Sequence, residues 1–265
     1  MYKLGEPILY ENLTWVEAAD LAKKCRTIML TTGTIEQHGL HSSMDVDAAI
    51  NYEICKRVSA KMQIPVYPQI MPGISQAHGF PGVVWVRPET WTRYLYDIVK
   101  SLYEGTGFNQ FIIVNGHMWN QGAVASVRDM IRTEYTNVRI RTLNWWTLDK
   151  DVYRIASADC PLGRSLHGNY GETSAMLAID PEHQDMEKAK RLHVNNAEFE
   201  HFWDYREEQI TTSGVMGGNA EGSNAEDGEA MIQFATDRMI QMIGDDIKSP
   251  KIKDAKRQIH PKIGY

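Results

Sequence analysis

Apolar residues along this chain fall into two alternating rhythms. Thr27–Thr32 is a short apolar run and reads as a buried strand. Across residues 47–62, with Val46 just ahead, Ile50, Ile54 and Val58 recur every four positions, the spacing of one helix face. Residues 64–70 are rich in strand formers but hold Pro65 and Pro68, so an edge or irregular strand is expected. Pro88 opens a predicted helix over 88–104 that carries Leu95, Ile98, Val99 and Leu102 on one side. Residues 110–114 and 138–145 read as strands flanking a helix over 122–135, with further helices at 175–179 and 226–247. This alternation predicts an α/β fold in which helices cover both faces of a mostly parallel sheet.

Two stretches break the rhythm. Residues 182–212 are polar without a strong period and then turn aromatic at Phe199, Phe202, Trp203 and Tyr205. They read as an excursion from a single domain spanning 1–265, either a lid or a subunit contact. Residues 214–228 form a glycine-rich loop, and the chain from Lys248 onward reads as surface tail.

In parallel sheets ligands bind where loops leave the carboxyl ends of strands, and the polar candidates fall there. Glu36 and His38 follow the first strand two residues apart, so in extended chain both side chains point to one side. Asp47 comes nine residues later, and Asn115-Gly116-His117 follows a second strand. A hard oxygen and an imidazole aimed at one spot suit a divalent metal. Two ions roughly 3.5–4 Å apart, sharing a carboxylate, can acidify a water to hydroxide at neutral pH. Asp47 is short and well placed to bridge, although it could instead cap the helix it opens. His167 reads as a general acid/base, with Glu172 orienting it or reaching a metal; a plain acid in the first turn of a helix is the alternative. His78, in His78-Gly79-Phe80-Pro81-Gly82, is read as a turn near the pocket, or as a turn and nothing more. His41, three residues from His38, is read as a partner supporting the ligands or, in preference, as an exposed loop residue; Trp145 and Trp146 as core packing or else a wall of the pocket; and His183, His193 and His201 as facing water. Ser174 has no base nearby in sequence, so a serine nucleophile is poorly supported.

Composition narrows the class. The 265 residues are 43% hydrophobic and 23% charged, ordinary for a soluble globular protein. A net charge of −6 argues against nucleic acid or an anionic membrane as a partner. Cys25, Cys55 and Cys160 are odd in number and widely spaced, so no disulfide framework is expected and a cytoplasmic location is. No apolar run reaches bilayer length, and the amino terminus, with Glu6 and Glu11, lacks the pattern of a secretory leader.

Glu36-Gln37-His38-Gly39 with Asp47, then Asn115-Gly116-His117, then His167 with Glu172-Thr173-Ser174, resemble the creatininase (creatinine amidohydrolase) family in order and spacing. The 78–82 loop resembles it too, and the likeness runs from about residue 10 to 245. The resemblance implies a three-layer α/β/α sandwich, two divalent ions (zinc, manganese or iron) per chain and a homohexamer. It implies Glu36, His38, Asp47 and His117 as metal ligands, Asp47 bridging, and His167 as the catalytic histidine. Departures point to a branch other than creatininase itself. There a Tyr-Glu pair follows the histidine of the second motif and the glutamate binds metal; here those places are Met118 and Trp119. Glu172 is therefore expected to complete the second ion's shell, while His78, Met118 and Trp119 are expected to contact substrate. Gly163 likewise stands where creatininase has a tryptophan. The expected activity is attack by metal-bound hydroxide on a carbonyl of a small, polar, cyclic substrate, with cleavage of an amide C–N bond. The runner-up is C–C hydrolysis of a keto-inositol ring (3-dehydro-scyllo-inosose), and an inactive small-ligand binder comes after it.

Overall fold

The computed structural model describes residues 3–156, 167–189, 206–209, 211–216 and 220–248. Among them, β1 (Thr27–Thr32), β2 (Val66–Ile70), β3 (Gln110–Asn115) and β4 (Arg139–Asn144) form one all-parallel sheet in the order β2-β1-β3-β4. The helices are α1 (Trp15–Lys24), α2 (Val46–Met62), α3 (Pro88–Ser101), α4 (Gln121–Glu134), α5 (Lys150–Ala156), α6 (Tyr170–Ile179) and α7 (Ala225–Lys248).

Strand alternation divides the core in two. Met29, Ile112 and Val114 face α2, α5, α6 and α7, whereas Ile28, Leu30, Phe111 and Ile113 face α1, α3 and α4. The result is the expected α/β/α sandwich. The four-residue stripe Val46, Ile50, Ile54 and Val58 is fully buried, which explains why this segment helices against the sheet. Pro68 is tolerated in β2 because that strand lies at the sheet edge, where a missing N–H breaks no inner ladder. Helix α1 was not anticipated, yet its signal is local. Thr14 Oγ1 accepts the Glu17 amide at 3.3 Å and Glu17 Oε2 accepts the Thr14 amide at 3.0 Å, a reciprocal capping box.

Chain direction creates the site. From β1 the chain crosses by α2 on one face to β2, and from β3 it crosses by α4 on the other face to β4. The loops leaving β1 and β3 therefore diverge and open a crevice at the carboxyl ends of adjacent strands. Asn51 closes its base: its Nδ2 donates to the carbonyls of Thr32 (3.1 Å) and Val114 (2.6 Å), tying α2 to both strands. Residues 157–166, 190–205, 210, 217–219 and 249–265 lie outside the described residues, so Gly163, the middle of the 182–212 excursion with His193 and His201, and the tail fall there. No described helix is long and apolar enough to cross a membrane.

Candidate metal centre

Each candidate side chain is delivered by a different segment. Ile35, just before Glu36, forms an antiparallel bridge with Val84, and the Glu36 amide donates to Met44 O at 2.8 Å. Asp47 is the second residue of α2; the helix N-cap is Asp45, which makes no side-chain capping bond, and Asp47 instead turns its carboxylate to the strand ends. His117 follows Gly116, with its amide on Asn115 Oδ1 (3.2 Å) and its carbonyl on Asn115 Nδ2 (2.7 Å). His167 is bridged to Met216 in both directions, at 3.0 and 2.7 Å. Glu172 sits in the first turn of α6, capped by Asn169 Oδ1.

These side chains converge. His117 Nδ1 lies 2.8 Å from Asp47 Oδ2, and His117 Nε2 lies 3.2 Å from Glu36 Oε2. His38 Nε2 lies 3.3 Å from Asp47 Oδ1 and 4.0 Å from Glu172 Oε2. His78 Nε2 and His167 Nδ1 approach Glu36 Oε1 at 3.0 and 3.3 Å. Three groups of ligand atoms fall within 4.8 Å of one another: Glu36-Asp47-His117, His38-Asp47-Glu172 and Glu36-His38-His167. The first two meet at Asp47, each using a different carboxylate oxygen. Glu172 also accepts the Gly168 amide at 2.8 Å, so its role as a helix-start acid and its place in the cluster coexist.

The donor set fits a cation. His117 Nε2 lies 2.9 Å from Ile74 O, a contact only an N–H can make. With that bond made, Nδ1 is left facing the Asp47 carboxylate at 2.8 Å, an approach that either a ring proton or a bound cation would bridge. His38 repeats the pattern, with Nδ1 3.1 Å from Glu36 O and Nε2 turned to Asp47. Among the described residues, His38 Nε2 and Asp47 Oδ2 are buried without a hydrogen-bond partner. Burial alone would lower the His38 pKa, but the Asp47 and Glu172 carboxylates outweigh it and raise it to about 9. Asp47 resists the upward push of burial and is held below the usual range by His117 and His38. Burial raises Glu172, and burial with His117 and His38 pushes His78 down to about 3. The ionised Asp47 thus draws positive charge onto its imidazole neighbours, the place a metal would take instead.

One sequence expectation is corrected. His41 is 2% exposed rather than facing water, because α6 and residues 184–185 fold over its loop. Met118 and Trp119 occupy a short 3-10 turn directly after His117 and stay half-exposed. Trp145 packs in the core, and His183 is exposed beside Asp180, as expected. Sequence reasoning missed the supporting amides. Asn120 accepts the Ile74 amide (2.9 Å) and donates to Gly33 O (3.1 Å), and Gln37 spans Gly39 N and Gly214 O. Asn51 and Asn120 are fully buried, which local sequence does not reveal.

A sequence model of the creatininase family, described as creatinine amidohydrolase, matches residues 11–243. The chain belongs to the creatininase family of hydrolases. It is 28% identical over 201 residues to creatinine amidohydrolase of Pseudomonas putida, covering 70% of this chain and 76% of that protein. It is 25% identical over 185 residues to 3-dehydro-scyllo-inosose hydrolase of Thermotoga maritima, covering 69% and 59%. The fold superposes on a creatininase variant in its Zn-Zn form with a TM-score of 0.81 at 25% identity, over 93% of this chain and 100% of that one.

Proposed function

We propose that this creatininase-family protein is a two-metal hydrolase that cleaves an amide C–N bond in a small, polar, cyclic substrate. The observation that carries the reading is Asp47, whose two oxygens face two different sets of ligand atoms. Glu36, Asp47 and His117 would hold one divalent ion (zinc, manganese or iron), and His38, Asp47 and Glu172 the other. When bound, such ions supply an acidified water and a positive charge for the substrate carbonyl oxygen.

The chain's own groups do the rest. Glu36 and His38, fixed by backbone contacts to Met44 and to Glu36 O, keep the donors in place without rearrangement. The His167 ring is anchored by Nε2 on the Gln37 carbonyl, so Nδ1 faces Glu36 and is the atom that would pass a proton to the leaving group. His78, kept neutral by burial, and the half-exposed Met118 and Trp119 are the candidate substrate contacts. By family resemblance the proposal extends to a cytoplasmic homohexamer, which light scattering of the purified chain tests.

A second reading, C–C hydrolysis of a keto-inositol, is supported by the Thermotoga maritima relative and by Met118 and Trp119 standing where creatininase has its Tyr-Glu pair. One experiment separates the two: the metal-loaded protein is screened against cyclic amides and keto-inositols side by side, with metal content measured by elemental analysis. Turnover of cyclic amides with two ions per chain is expected. Fewer than one tightly held ion per chain would sink both hydrolase readings in favour of a ligand-binding homologue.

A further inference from the structure

The candidate ligand set leaves one buried imidazole in the same loop unused. His41 Nε2 lies 2.9 Å from Thr173 Oγ1, and Thr173 directly follows Glu172 in the first turn of α6. The His41 carbonyl accepts the Asp185 amide at 2.7 Å, and Ser42 Oγ donates to Gln184 Oε1. Gly39 has φ 85°, and a Cβ there would meet His41 Nδ1 at 2.8 Å and Val215 Cγ2 at 2.6 Å, so the ring fills the space a side chain would take. The loop from His38 to Ser42 is thereby pinned to α6 and to the chain just beyond it. Burial, with the neighbouring His38, pushes the ring's pKa down to about 4.

The same loop and helix bound a narrow gap. His38 Nε2 and Glu172 Oε2 stand 4.0 Å apart. An ion about 2.0–2.2 Å from each would span that distance, with only a few tenths of an ångström to spare. His38 arrives from the loop after β1 and Glu172 from α6, 134 positions later in the chain, so nothing local fixes their separation. We infer that His41, acting through Thr173 Oγ1, is a positioning residue that sets the His38–Glu172 separation and hence the affinity for the ion shared by His38, Asp47 and Glu172. The inference rests on the proposed reading that these residues hold an ion. It assigns no such role toward the Glu36-Asp47-His117 group, which comes from the loops after β1 and β3 and from the start of α2.

The full-length protein, stripped of metal by dialysis and reloaded with cobalt(II), reports each equivalent by its visible absorption. Thr173→Val, which keeps shape and removes the hydroxyl, should weaken one of the two equivalents by about 10–100-fold and leave the other at wild-type affinity. Thr173→Ser should restore it, and His41→Gln should behave like Thr173→Val. If His41→Gln does not fold, the near-isosteric threonine pair still carries the test. Wild-type affinity for both equivalents in Thr173→Val, alongside a weakened equivalent in Glu172→Gln, would overturn the positioning role while leaving the ligand reading intact. Equal weakening of both equivalents would also overturn it, as general loosening. Glu172→Gln binding both equivalents like the wild type would remove the ligand reading and this inference with it.

Discussion

Replacing Gly116 by alanine tests whether the crevice is as tightly built as its contacts imply. An ideal Cβ at this position would lie 2.2 Å from the Asp47 carbonyl oxygen, 3.0 Å from Thr32 O and 3.1 Å from Asn51 Cβ. Ordinary contact begins near 3.4 Å, so the turn and the start of α2 must part by about 1 Å. The nearest atoms are backbone, so no side chain can swing away. The Gly116 amide also donates to Thr32 O at 2.7 Å, which resists movement of the turn. Overpacking of this kind costs about 1–3 kcal/mol. For a domain of this size, that lowers the melting temperature by roughly 2–4 °C per kcal/mol. The same 1 Å shift falls between Asp47 and His117, now 2.8 Å apart, and a misplacement of that size costs on the order of 10²-fold in activity. Thermal unfolding with and without chelator, together with ion content, checks both effects. Gly122→Ala, with nothing within 4 Å of the added carbon, is the control and should be neutral or slightly stabilising. A Gly116→Ala protein that melts within about 1 °C of the wild type and keeps its ions would show that the turn gives freely, and the argument for a rigid cradle would fail.

Other outcomes follow from the same geometry. Asp47→Ala should remove bound metal and activity together, as read by elemental analysis and turnover; full occupancy would exclude a bridging carboxylate. His167→Gln should keep its metal while turnover on the true substrate falls by roughly 10²–10⁴-fold, and unchanged turnover would exclude the proton-transfer role. If free metal stands at 100 times its Kd, chelation removes about 2.7 kcal/mol of stability and a melting shift of several degrees should appear. Asn51→Ala removes both side-chain hydrogen bonds that tie α2 to the ends of β1 and β3 and should cost about 1–3 kcal/mol in denaturant unfolding, with no change expected at an exposed site such as Lys23.

Much of the scaffold was legible because its causes are local. The apolar run of β1, the four-residue stripe of α2 and the proline opening α3 each depend on residues within one element. So did the clustering of Glu36, His38, Asp47 and His117 at the carboxyl ends of β1 and β3, since parallel strands direct their following loops to one end. Helix α5 was missed because its seven residues span only two turns, too short for a period to stand out. His41 was misjudged because what buries it, Thr173 and residues 184–185, lies more than 130 positions away.

By itself, then, the sequence determined which segments become strands and helices, and which acids and imidazoles lie next to strand ends. Only the tertiary structure decided the strand order β2-β1-β3-β4, the shared position of Asp47 between two candidate ligand groups, and the approach of Glu172 to His38. The physical reason is range. Backbone preference and apolar periodicity act over a few residues, whereas the distance between two carboxylates on separate elements is fixed by how the intervening helices pack.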